Sequence, residues 1–526
     1  MSEHTPEENS PGAGSTSDDA RVAGRGFLLI TAAKVWFMVG GALITFGLPY
    51  IFDAVSGKGK ALYGQYLDVN NILSIFSMVM VTGVMQTVSK FVSEKPDRAV
   101  GIVQQTQNLM LVVAGLIGAL FLIGAPWIAE WRGNPELVNA YRLAGMILFS
   151  YGIYTVYIGV LNGQKRFFSQ ACFDMGFATM RVVLMLGAAA LGFGVVGAFA
   201  GWSTAAIIIT IVALVYVRKT SGLERSAELN GTDSSSQKEE RLYPFALNVM
   251  LYAFVFNLTF KIDIVCLKPI AAALQFNADN FIAEYGMAVQ FSRLPWQATL
   301  AITFIVFPMV SGAVFAQDLE RARGYIRQTM RYSMILVGGA SVVLMSIPDA
   351  IFGILPEKYS PGAIALSWLA PAYFAFSLFN IANTILMSAG RAGQALLIGT
   401  MTVVINLSLF GALYLAAEPM GLSHHQLLKW ASICTFVAFS TGLALGLFCL
   451  MRFYGAIVPI KTGVRVFGIS IVLAVLGRLL PQISPVMTIC MAVIIGFGYL
   501  VGLFMTQEFD ADDKERLMKV IRRKKT

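Results

Sequence analysis

Eight ionisable residues sit inside long apolar stretches of this chain: Lys34, Asp68, Asp174, Arg181, Lys261, Asp263, Glu284 and Arg293. An ionised side chain at the middle of an apolar spanning helix costs about 2.5–3.5 kcal/mol on insertion scales, so it needs a partner or a wet cavity. Lys34, Arg181, Lys261 and Arg293 are the groups expected around a concentrated anion in a low-dielectric cleft. Asp68, Asp174, Asp263 and Glu284 are the groups that could carry a coupling proton or Na⁺.

Spacing sharpens these roles and leaves alternatives open. Arg293 lies two residues before Pro295, which frees backbone groups and is expected to kink a long span at 281–313. It could meet a bound anion or a helix carbonyl. Lys34 lies about a third of the way into the first span, where it could bind an anion or snorkel to the surface beside Arg25. Asp174 and Arg181 are seven residues apart and share a helix face, as an interhelical ion pair or as ligand contacts. Lys261 and Asp263 are two apart, on different faces, and cannot pair well with each other. Asp263 could hold a coupling ion or bridge to another helix. Asp68 and Glu284 occupy equivalent places near one mouth of the bundle.

Other chemistries find little support. The histidines are His4, His424 and His425, one near the start and two in a short loop. No nucleotide-binding loop is present, so no direct use of ATP, no cofactor and no metal are expected. Asp510-Ala511-Asp512 matches a paired-acid metal pattern only formally, with no catalytic domain around it. An enzyme is therefore not expected.

The elements that position these groups are transmembrane helices. The chain is 56% hydrophobic and 13% charged, against about 25% charged in soluble proteins. About fourteen apolar stretches of roughly 20 residues follow one another, each long enough to cross a bilayer of about 30 Å. The expected fold is an all-α polytopic membrane protein. The net charge of +9 reflects Lys and Arg clustered on alternate loops, which predicts both termini on the cytoplasmic side and contact with anionic lipid, not nucleic acid. The five cysteines all fall in apolar stretches and read as packing residues without a disulfide.

The expected organisation is a disordered cytoplasmic tail (1–26), a first six-helix bundle (27–217), a cytoplasmic linker (218–242), a second six-helix bundle (243–452), two additional helices (453–505) and a basic tail (506–526). Asp97-Arg98-Ala99-Val100-Gly101 with Gln105-Thr106 recurs in register as Glu320-Arg321-Ala322-Arg323-Gly324 with Gln328-Thr329. Tyr66 and Tyr285, and the turns Asn162-Gly163 and Gly390-Arg391, follow the same order. This suggests duplicated six-helix units, parallel about an axis along the membrane normal.

Several motifs then carry a resemblance: Tyr63-Gly64-Gln65-Tyr66, Gly83-Val84 with Val88-Ser89-Lys90-Phe91, and Leu161-Asn162-Gly163 with Arg166-Phe167. Lys261-Ile262-Asp263, Glu284-Tyr285-Gly286, Arg293-Leu294 and Phe307-Pro308 complete the set. Together they resemble the polysaccharide-unit flippases of the multidrug/oligosaccharidyl-lipid/polysaccharide (MOP) exporter superfamily, over about residues 25–505. The resemblance implies a V-shaped fourteen-helix bundle in the bacterial inner membrane. Its implied cargo is a lipid-diphosphate-linked oligosaccharide or a similar cell-envelope precursor, moved from inner to outer leaflet; separately, the chain is expected to act as a monomer among membrane lipids. The energy source would be H⁺, Na⁺ or membrane potential. The competing expectation is a cation- or proton-coupled drug antiporter of the same superfamily. Asn70, Asn71, Gln86, Gln290, Asn380, Asn383 and Asn406 could bind sugar hydroxyls or bond between helices.

Overall fold

The computed structural model describes residues 13–220, 241–455, 459–479 and 485–509, and these are almost wholly helical. The linker core 221–240, residues 1–12 and the tail from 510, with the Asp510-Ala511-Asp512 motif, lie outside the described residues.

The helices are α1 (Ala13–Ser56), α2 (Gly59–Met78), α3 (Met85–Glu94), α4 (Ala99–Trp131), α5 (Val138–Gly163), α6 (Phe167–Ala188) and α7 (Gly194–Thr220). After the linker come α8 (Leu242–Ala273), α9 (Ala278–Ser292), α10 (Leu294–Phe315), α11 (Leu319–Ser346), the short α12 (Pro348–Phe352) and α13 (Gly362–Ser388). The chain ends with α14 (Ala392–Ala417), α15 (His424–Tyr454), α16 (Ile460–Arg478) and α17 (Pro485–Met505). Helix α1 begins at Ala13, so residues 13–26, expected to be disordered, are helical instead. Elongating an existing apolar helix needs no new nucleus, and this polar stretch extends one.

Twelve helical stretches are long and apolar enough to cross a membrane. One of them, Phe167–Thr220, is 54 residues long. It turns at Gly192 and Gly194, whose φ values of 88° and 57° suit glycine, so that α6 and α7 pack against each other as two crossings. The interrupted pair α9–α10 is a further helical stretch, broken at Arg293, between two of these spans.

Local chemistry explains the boundaries. Asn277 caps α9 by accepting from the Asn280 amide, and Asp318 caps α11 by accepting from the Arg321 amide. Ser423 and Gln426 form a reciprocal capping box at the start of α15, which ends at Gly455 in the left-handed region. Between α2 and α3 the chain makes wide π-helical turns over Val79–Val84.

The helices form two compact units: Met1–Gly59 with Leu73–Phe254, and Lys60–Ile72 with Val255–Thr526. This division differs from the sequence boundaries at two helices. The start of α2 packs with the second unit, and the start of α8 with the first. In the first unit α5 is the most enclosed crossing, against α3, α4 and α7, while α1 lies along α6. In the second unit α13 is the most enclosed, against α9, α10, α11 and α15.

Helices α16 and α17 join the second unit through α11. The Tyr499 hydroxyl donates to the Ile335 carbonyl at 3.0 Å, and glycines make room for its ring: a β-carbon at Gly338 would lie 2.7 Å from that hydroxyl. Beyond the end of α17, Glu508 is buried at 2% exposure and ties the elements together. Its carboxylate accepts from Arg331 at 2.8 Å, Thr462 at 2.6 Å and Arg465 at 2.8 Å. Burial alone would raise this carboxyl, but the bonds from Thr462, Arg331 and Arg465 outweigh it and hold the pKa below the usual glutamate value. Because the folded value is depressed, the stabilisation is complete above the unfolded pKa of about 4.3 and is lost as pH falls through the folded value. Glu508→Gln is expected to cost about 2 kcal/mol or more at pH 7. Thermal melts at pH 7 and pH 4 check this, and a deficit that did not shrink at low pH would contradict it.

Candidate functional site

In the first unit the candidate residues line one face of α6. Asp174 Oδ2 lies 3.3 Å from Lys34 Nζ of α1. The lysine side chain stays 55% exposed while the aspartate is 14% exposed, so the pair joins a reachable cation to a sheltered carboxylate. Two turns further, Arg181 lies between two rings, 4.9 Å from that of Phe37 and 5.1 Å from that of Trp202. Trp202 Nε1 donates to the Tyr151 hydroxyl at 2.8 Å, which fixes the ring. The buried Arg181 Nε has no hydrogen-bond partner in this state. The shared face of Asp174 and Arg181 is therefore present, but the carboxylate's cation is Lys34. Trp36 of α1 also donates to Thr179 of α6 at 2.9 Å, fastening the two helices beside the site.

In the second unit Arg293 is 7% exposed and occupies the junction between α9 and α10. Its guanidinium donates to the Phe260 carbonyl at 2.5 Å and to the Tyr373 hydroxyl at 3.0 Å. It also lies 4.7 Å from the Phe260 ring. The expected kink at Pro295 takes the form of a helix break at Arg293, because proline as the second residue of α10 cannot donate back into α9. Asp263 accepts from its own following amide, Ile264, at 2.8 Å and from the Tyr285 hydroxyl at 3.3 Å. Tyr285 reaches on to Thr435 at 3.1 Å. Lys261 donates to the Asn71 amide oxygen at 3.0 Å. Its charge, that of Arg293 and that of Asp263 lie close enough to act on one another. The two cations and one carboxylate thus share a buried neighbourhood, with Lys261 and Asp263 bonded to different partners.

Asp68 and Glu284 belong to a second charged cluster in the same unit. Lys268 bridges Asp68 at 2.8 Å and Asp279 at 3.0 Å. Glu284 takes Lys60 on one oxygen and His424 on the other, the latter at 2.5 Å. Sequence reasoning missed Lys268, Lys60 and His424 as partners. Lys268 follows Lys261 by seven residues on α8, and that shared face was the available signal. Among the described residues no group of His, Cys, Asp and Glu has the makings of a metal site.

The arrangement of helices is the fold of MOP-superfamily membrane transporters. The structure is similar to "Lipid II flippase MurJ, inward closed conformation", with a TM-score of 0.64 at 12% identity, over 92% of this chain and 99% of that one. It is similar to the inward-facing conformation of a multidrug resistance MATE family transporter, with a TM-score of 0.62 at 15% identity, over 80% and 95%. A MOP superfamily transporter from Pyrococcus furiosus matches with a TM-score of 0.60 at 14% identity, over 81% and 96%. No curated protein matches in sequence. Residues 32–315, more than half of the chain, match the family model described as "Polysaccharide biosynthesis protein", and the chain belongs to that family. All eight candidate residues fall within the matched stretch.

Proposed function

We infer that the chain is a flippase that moves a lipid-diphosphate-linked oligosaccharide, or a similar cell-envelope precursor, from the inner to the outer leaflet by alternating access. The observation that carries this reading is a surplus of positive charge at each candidate site. Lys34 and Arg181 stand against Asp174 in the first unit, and Arg293 and Lys261 against Asp263 in the second. A diphosphate brings the missing negative charge, and guanidinium and ammonium groups at low dielectric bind it strongly. Lys34 is the reachable group and Arg181 has an unused donor, so these two make first contact. Arg293 and Lys261 are buried cations of the second unit. Asp263 is the carboxylate for a coupling ion, with Asp174, Asp68 and Glu284 balancing the remaining cations. The prenyl chain stays in lipid, the protein acts as a monomer in a bacterial inner membrane, and both termini face the cytoplasm.

Native mass spectrometry of the purified protein with its co-purifying lipids tests the reading. A bound prenyl-diphosphate sugar in the wild type, reduced at least tenfold in Lys34→Ala/Arg181→Ala, is expected. Bulk phospholipid alone, displaced by drug-like cations, would replace it with the antiporter reading. That second reading draws its support from the enclosed carboxylate of Asp263, at 1% exposure.

A further inference from the structure

The segment Lys60–Ile72 follows α1 in the first half of the sequence, yet it packs with the second unit. We propose that it is a transferable segment, held in the second unit in this state and released from it during the transport cycle. The inference rests on the transport reading above but not on the identity of the cargo.

The anchors are built for release. Both second-unit residues that form ion pairs with the segment, Glu284 and Lys268, have another partner that would stay behind. Glu284 binds Lys60 of the segment and His424 of α15. Lys268 binds Asp68 of the segment and Asp279 of α9. Lys261 adds a neutral hold, donating to Asn71 of the segment, with Arg293 and Asp263 both near its charge. A buried charge that loses its counter-charge is costly, and that cost normally makes such contacts permanent. Here departure of the segment leaves Glu284 hydrogen-bonded to His424 and Lys268 paired with Asp279. The departing Lys60 and Asp68 regain water as they become exposed.

The seat fits this particular backbone closely. A β-carbon at Gly64 would overlap the Asp279 carbonyl, and one at Gly286 would overlap the Leu67 side chain. Beyond the segment, the π-helical turns at Val79–Val84 interrupt the regular bonding pattern between α2 and α3. Such wide turns recur at functional positions in helices and give the segment a place to pivot.

The test is the reactivity of a cysteine at Leu67, which is 1% exposed in the seat. Leu67→Cys is made in the full-length chain with its five native cysteines replaced by alanine, and reconstituted in nanodiscs where a water-soluble maleimide reaches both faces. Slow labelling is expected in this background. Adding Lys60→Gln and Asp68→Asn is expected to raise the rate at least tenfold while the melting temperature stays within about 2 °C, because Glu284 and Lys268 keep His424 and Asp279. Gly64→Ala in place of the charge changes is expected to raise the rate similarly. Equal labelling rates in all three proteins, or a lowered melting temperature with no gain in labelling, would make the segment a fixed part of the second unit and overturn the proposal. Labelling needs no cargo, so failure of the flippase reading would leave this result standing.

Discussion

Lys268→Met is expected to destabilise the protein by about 3–5 kcal/mol, the usual range for removing one partner of a buried ion pair. Lys268 is 3% exposed and is the shared cation of Asp68 and Asp279, which are 1% and 13% exposed in their side chains. Methionine keeps the length and apolar stem but removes the cation the two carboxylates share, while Asp279 keeps the bond from Gln65 Nε2 at 3.2 Å. Thermal unfolding of the detergent-solubilised protein should show the loss plainly. Adding Asp68→Asn to Lys268→Met should then recover part of it, since the second change removes one of the two charges that Lys268 had balanced. Asp68→Asn alone should do little. This strong non-additivity is the signature of a shared network. Three variants that each melted like the wild type would show that the cluster is hydrated and energetically idle.

Arg293→Ala should have the second large effect, and it should reach function as well as stability. The substitution removes two charge-assisted hydrogen bonds, each worth about 1.5–3 kcal/mol, and a desolvated cation–π contact worth about 2 kcal/mol. It also leaves the Phe260 carbonyl and Tyr373 hydroxyl without that donor at the break between α9 and α10. Arg293→Lys restores the charge but not the planar fork that reaches both acceptors, so it should recover only part of the stability. Transport of the labelled lipid-linked cargo in proteoliposomes should fall at least tenfold in Arg293→Ala. A variant that melted and transported like the wild type would remove Arg293 from both roles.

Much of the fold was legible because a bilayer imposes a simple length rule. Apolar stretches of about 20 residues announce spanning helices. The residue types of the site were legible for a related reason: an ion within such a stretch is conspicuous. Partnership was not legible. Asp68 and Lys268 are 200 residues apart, and no local spacing rule links them. Lys268 escaped notice because it sits near the end of α8, one residue before Pro269, where a lysine reads as an interfacial charge. Lys60 and His424 read as loop residues, yet both meet Glu284. Asp174 and Arg181 share a face as their spacing requires, but spacing along α6 carries no information about Lys34 on α1. The same limit explains Lys60–Ile72, because sequence order assigns a segment to a half and cannot say which helices it packs against.

Glycines on α11 give the last two helices a consequence for how such chains gain and lose parts. Tyr499 lies against Gly338 and Gly339, and Arg331 reaches the buried carboxylate beyond α17. A chain cut near residue 456 would turn that face toward lipid with a groove where a ring had been and an arginine that has lost Glu508. Discarding the pair therefore demands compensating changes on α11, with bulk at the glycine positions and loss of the cation. The presence of α16 and α17 is thus written into the surface of α11, whose glycines and arginine are shaped for them.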